Sequence, residues 1–487
     1  MNRAEHHVGG VPPTARPGDV LAELVAAGVA AADALLDTAA GQAQVRRVAA
    51  RLTANAAAAA GHLPAGLAAD GTPDGRCTVL PASGGTDQPA RAAAVTAAAI
   101  TTSQCDEGLR ESRGHPGLHA YAAGLAAAED ADASLSVFLR ALAVGWEVGA
   151  RLGLLLGAPR AGVHPHGGWG AAAAATAAGV AVGLDTAALT TAANLALTVA
   201  LTGPEPSTRR GQPAHHLLPA LGTAGGLSMA YLVRDGFPAT DPAVAHFGRI
   251  AHQGPPAPAA ASAALTARPL LPEAYFKPVG VCAHALTSWT VARAVAREVP
   301  AADVAAVTVR TYAGAALLAE RSPANRLARQ FSIPWAVACG LLDLDPGAPS
   351  GRLPDERRAL AARLAERVTV RHDPGLDDGY PAGRPAVVEV TTRAGRRLDA
   401  RARFHPGDRE EPMTADESAA VDAELLREPA APAGAAELLR RLTRATGATP
   451  LRHLTSLARG GAADLTGGPP PGPVGSHTPG RKDMTPW

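Results

Sequence analysis

Cysteine is scarce in this chain. Cys77, Cys105, Cys282 and Cys339 are far apart and form no CxxC pair, which argues against a zinc knuckle or a cysteine-held cluster and fits thiols kept reduced in the cytoplasm. Charge of one sign is missing too. The 45 basic and 44 acidic residues leave a formal +1, so no strong field recruits nucleic acid or an anionic membrane. The first residues, MNRAEHHVGGVPPTARPGD, carry no apolar signal core. Aromatics make up only 3%, a bias that fits GC-rich coding better than a function. No GxGxxG nucleotide loop, P-loop or GxSxG elbow is present, so the expectation is chemistry with no cofactor and no metal. The one long apolar stretch, residues 169–202, is mostly Ala and Gly, is interrupted by Asp185 and Asn194 and carries Thr throughout. It reads as buried helices rather than a membrane span.

What is present is alanine in helical runs. A chain of 487 residues, 47% hydrophobic, exceeds one ordinary core and suggests two domains. Residues 1–17 read as a disordered tail. Segments such as DVLAELVAAGVAAADALLDTA, QVRRVAARLTANAAAAA and SLSVFLRALAVGWEVGARLGLLLG make residues 18–268 helical, with Gly, Pro or Asp at the ends. Residues 269–409 mix helices with strand candidates, among them DVAAVTVRTYA, TVRHD and a hairpin, VVEVTTRAGRRLDARARF, turning at Ala394-Gly395. Residues 410–462 are helical again and return to the first domain, and 463–487 read as a second disordered tail. The fold class expected is mostly α: a large all-helical domain plus a smaller α+β domain.

Two segments place histidine at the mouth of an alanine-rich helix: RGHPGLHAYAAGLAAAED and VHPHGGWGAAAAATAAG. Proline suits the first helical position. The preceding His115 or His164 then meets the positive end of the helix dipole and its free N–H groups. Such a mouth attracts a carboxylate or phosphate and favours the neutral, proton-accepting imidazole. The plain alternative is a turn, and His405-Pro406 is read that way. In CDEGLRESRGHPG, Asp106 and Glu107 could orient a histidine or bind a substrate hydroxyl, or form a solvated loop. In EAYFKPVGVCAHALTSW, Lys277 precedes Cys282 and His284 at a helix start. It is either a carboxylate-binding or acidic lysine, or an ordinary snorkelling one.

The order of these pieces resembles the MmgE/PrpD family, which includes 2-methylcitrate dehydratases, cis-aconitate decarboxylases and iminodisuccinate epimerases. PARAAAVTAAAITTSQCDEGLRESRGHPG, VHPHGGWGAAAAATAAGVAVGLD, YFKPVGVCAHA, RLARQFSIPWAVACGLLD and FHPGDREEPMTADE follow one another as the family's motifs do, over roughly residues 80–430. The resemblance implies that the active site of the helical domain faces the α+β domain as a lid, in a homodimer. It puts His115, His164 and Lys277 on catalytic positions, with Gln104, Asp106, Glu107, His166, His215, Cys282 and His284 binding a small carboxylate substrate. Two departures stand out. Gln104 replaces the acid that usually opens the acidic loop, and His215, beside His216, stands where the family has a lysine. The function expected is a cofactor-independent lyase, a dehydratase or decarboxylase. An epimerase or isomerase using the same proton chemistry, or a catalytically silent ligand-binding homologue, are the alternatives.

Overall fold

In the computed structural model, residues 20–64, 75–82, 84–164, 166–254, 258–348 and 353–459 are described. The two tails expected at 1–17 and 463–487 lie outside the described residues.

Alanine favours helix because it loses no side-chain entropy, and its small side chain lets helix axes approach. Both effects meet in the helix Trp169–Ala181, every residue of which is buried. A helix apolar all round belongs inside a core, and this one is surrounded by Pro116–Asp130, Leu135–Leu156 and Ala214–Arg234. The approach is close enough to require glycine at 145, where a Cβ would lie 2.7 Å from that of Ala177. The apolar stretch 169–202 is two helices. Asp185 caps the second, Thr186–Thr198, by accepting the Ala188 N–H at 2.8 Å. Among the described residues, only Ala214–Arg234 is long and apolar enough to cross a membrane by length and composition. It lies against Trp169–Ala181 and Pro89–Ser103.

The chain builds two apolar cores. One runs from Leu21 to Phe276 and resumes from Met413 to Ala458; the other is drawn from Tyr275 to Val390. The switch falls inside one short strand, Tyr275–Phe276, because successive strand residues face opposite ways. The second core lies under a four-stranded sheet ordered Arg397–Ala402, Ala386–Thr392, Val304–Thr311, Val368–His372. Its last pair is parallel and the others antiparallel. The expected hairpin is present, with Gly395 at φ +81° in its turn. Helices Ala283–Val295, Ile333–Leu341 and Asp355–Ala365 pack into this core. The returning helix Ala415–Leu425 starts with a Thr414/Glu417 capping box and is tied to Ala39–Ala57 by the buried Arg51–Asp422 ion pair. The molecule is thus mostly α with a small mixed sheet.

Candidate active site

Two-residue strand pairings too short to read from sequence position the chemistry. Glu107–Gly108 pairs antiparallel with Tyr275–Phe276, Glu107 opposite Phe276. The residues next in register, Asp106 and Lys277, therefore face each other, and Lys277 Nζ lies 2.6 Å from Asp106 Oδ1 with both side chains buried. Arg51 donates to the Lys277 carbonyl at 2.9 Å and fixes its backbone. The other oxygen of Asp106 lies 3.0 Å from His115 Nδ1, which is also 2.6 Å from the Glu107 carbonyl. Both neighbours only accept, so Nδ1 carries the proton and the Nε2 lone pair is open. Burial pushes the His115 imidazole down to about 4 against the pull of Asp106. Burial works to raise the Asp106 carboxyl, but His115 and Lys277 outweigh it and hold the group below its usual range. The result is a neutral base backed by an anchored carboxylate.

His164 comes from the second helix mouth, where Val163–His164 pairs with Gly203–Pro204. Its tautomer is the opposite one. His164 Nδ1 accepts the His166 backbone N–H at 3.1 Å, which leaves the proton on Nε2. His166 is the centre of a cluster of rings, with centroids 4.7 Å from His164, 5.5 Å from His115, 5.7 Å from His215 and 6.1 Å from His119. Burial drives all of these imidazoles below their ordinary value, His119 and His164 to about 3. They are neutral near pH 7. Gly170 is required beside them, since a Cβ there would lie 2.2 Å from His119 Nε2. No group of three or more His, Cys, Asp or Glu among the described residues is arranged to hold a metal ion.

The two departures from the family pattern touch each other. Gln104, at φ 51° just past the helix Pro89–Ser103, donates one amide hydrogen to the Thr101 carbonyl at 2.7 Å and presents the other to His215 Nε2 at 3.0 Å. An acid and a lysine at these positions would form an ion pair. Gln104 and His215 form an uncharged hydrogen bond, and His215 keeps its proton on Nδ1 facing Thr208 at 3.2 Å.

The remaining expected residues divide. Glu107 turns inward: its oxygens accept from Trp146 Nε1 and the Gly117 N–H, each at 2.9 Å, and burial raises the acid to about 8. It braces the helix behind His115, and both carboxylate oxygens are engaged there rather than free for a substrate. Cys282 precedes the helix Ala283–Val295 and is held by its backbone N–H on Gln330 O at 2.8 Å. His284 bonds through Nδ1 to the Tyr312 hydroxyl. Lys277 is fully buried against Asp106 and does not reach out as a free cation. Removing one half of a buried pair costs about 3–5 kcal/mol, so Lys277→Met should lower thermal stability by roughly that amount. Unchanged unfolding curves would count against the pairing.

Sequence reading missed His119 and a group on the smaller domain: Tyr275, Tyr312, Tyr380 and Arg384. A signal existed. The chain has only five tyrosines, and three of them converge here, Tyr312 stacked on Tyr380 at 4.7 Å and Tyr275 edge-on to His115 at 6.3 Å. A separate cavity of about 320 Å³ lies behind Cys105 and Pro278, lined by Arg326, Asp345 and Glu424; its walls are chain neighbours of Asp106 and Lys277, not the imidazoles.

Known sequences supply the last observation. Residues 47–250 match the MmgE/PrpD N-terminal domain and residues 280–420 the MmgE/PrpD C-terminal domain. No curated protein matches the chain. With both domain matches in order, around a site built from the two halves, the chain belongs to the MmgE/PrpD family.

Proposed function

We propose that this protein is a lyase that dehydrates or decarboxylates a small carboxylic acid by proton chemistry between His115 and His164. Membership of a family of generally dehydratase type supports the class. The observation that carries the reading is the pair of opposed tautomers: an open lone pair on His115 Nε2 and a proton on His164 Nε2. For a dehydration, His115 removes the proton from the carbon beside the carboxylate. Asp106 stabilises the imidazolium that forms, and Lys277 keeps Asp106 ionised. The C–H electron pair becomes the double bond while the C–O bond breaks. The neutral His164 donates a hydrogen bond to the departing oxygen, which takes the proton that His115 removed from carbon, so that water leaves and His115 returns to its neutral form. Epimerisation is the second reading, since two neutral imidazoles, each beside the ring of His166, could remove and return a proton at a single carbon.

We place the enzyme in the cytoplasm on its four free cysteines. Its expected partner is a second copy of the chain. Leu217, Leu221 and Leu232 form an exposed apolar stripe along the helix that carries His215, and sedimentation reads the oligomeric state directly.

The test is a panel of hydroxy- and unsaturated carboxylic acids incubated in D₂O with excess chelator. The expected result is alkene formation with loss of water, or CO₂ release with solvent deuterium taking the place of the lost carboxylate on carbon. Loss of turnover on chelation, restored by a divalent metal, would overturn the metal-free reading. Deuterium exchange without elimination would favour the epimerase, and neither outcome with any compound would leave a binding protein.

A further inference from the structure

The cavity behind Cys105 and Pro278 lies on the seam between the two domains. Ser103, Cys105, Ala420, Val421 and Glu428 come to it from the helical domain, and Pro278, Val279, Arg326 and Asp345 from the smaller one. The halves meet backbone to backbone beside it, since a Cβ at Gly280 would lie 2.3 Å from the Ser103 carbonyl oxygen. Its volume of about 320 Å³ falls in the range of small-molecule sites. Pro278, Val279, Val421 and Leu425 give it an apolar wall.

Charges of both signs line this cavity without closing on one another. The half-buried Arg326 donates to the Thr102 carbonyl at 2.8 Å and the Gly347 carbonyl at 3.4 Å, and its Nε has no partner. It forms no ion pair with a carboxylate among the described residues. Asp345 Oδ1 accepts the Gly347 N–H at 2.8 Å. Glu428 lies 3.3 Å from His62, and the exposed Glu424 is paired with Arg427 at 3.1 Å. Burial pushes the Arg326 guanidinium down to about 10, and Arg329 adds to that, although Glu428 and Asp345 pull the other way. Burial likewise raises the Asp345 carboxyl. Backbone hydrogen bonds thus hold the cation and the acids apart, and each is short of a counter-charge in a partly apolar space. A ligand carrying both charges satisfies both at once.

We propose that this cavity is a second binding site, separate from the imidazole cluster, that takes a small apolar α-amino acid as its zwitterion. The carboxylate of the amino acid meets Arg326, its ammonium meets Asp345 and Glu428, and its side chain lies on the apolar wall. The inference is independent of the reaction proposed above. A bound amino acid would tie the two domains together one residue along the chain from Asp106 and from Lys277, through Cys105 and Pro278.

Titration calorimetry of the full chain tests it with three probes of one shape: L-leucine, 4-methylpentanoate, which lacks the ammonium, and isoamylamine, which lacks the carboxylate. Leucine should bind the native protein roughly ten- to hundredfold more tightly than either control, the range expected of a charge-assisted hydrogen bond. Arg326→Gln should bring leucine down to the level of isoamylamine, and Glu428→Gln should weaken leucine without changing 4-methylpentanoate. His115→Gln should leave leucine binding as it is, because that ring belongs to the other site. No leucine binding at millimolar concentration, leucine no tighter than the controls, or undiminished binding in Arg326→Gln would each overturn the proposal. So would leucine binding that is lost in His115→Gln, which would place the amino acid among the imidazoles. Should Arg326→Gln fail to fold, Ala420→Trp decides, because residue 420 is an exposed helix position on the cavity wall. Leucine binding lost in folded Ala420→Trp supports the assignment, and binding retained ends it.

Discussion

His115→Gln should lower kcat/KM by about 10²–10⁴, the range expected when a positioned general base is lost. The glutamine amide can still donate toward the Glu107 carbonyl and Asp106 but has no lone pair to take a proton at neutral pH. His164→Ala should cost a similar factor by removing the only N–H that this ring presents to the departing oxygen. It also empties a buried position stacked on His166, so thermal unfolding must be measured beside the rate. A normal rate in folded His115→Gln would remove His115 as the base. A His164→Ala protein that loses stability but keeps its rate per folded molecule would reduce His164 to a packing residue. The pH profile adds a check. Burial sets His115 near 4, so kcat/KM should show no fall near pH 6.5, where an exposed histidine would titrate.

The second large effect is on stability in acid. His115, His119, His164, His166, His215, His216, His284 and His405 are all held below their ordinary value by burial, several of them to about 3 or 4. Their folded values lie under the unfolded one. The stability they contribute is therefore present above about pH 6.5 and is lost as pH falls toward 4. Each such ring costs about 2 kcal/mol between pH 7 and pH 5. Glu107, raised to about 8, and the raised Glu129 and Glu147 work in the opposite sense, but three groups offset only part of eight. A net loss of several kcal/mol is comparable with a whole domain's stability. The protein should unfold cooperatively between about pH 5 and pH 6, followed by circular dichroism. A melting temperature unchanged from pH 7 to pH 5 would show that these rings are hydrated or already charged in the folded state.

Local signals made much of the molecule legible before any coordinates. Proline at the first helical position, Asp185 at a helix end, alanine runs and the Gly395 turn are short-range chemistry. Together they located the helices, the hairpin and the two histidines at helix mouths. Order along the chain also indicated the family, because motif succession survives where single residues change. What the sequence could not determine was which charges meet. Lys277 read as a cation for the substrate, yet the pairing of two short strands placed it opposite Asp106 across 171 residues of chain. Gln104 and His215 read as two losses, and a contact between distant helix ends made them one compensated pair. Arg384, in a loop with no periodicity to mark it, meets the Tyr275 ring only through the fold of the smaller domain. Helices and turns are decided by neighbours in sequence. A site's charge balance is decided by neighbours in space, because burial removes the water that would otherwise screen every pair alike.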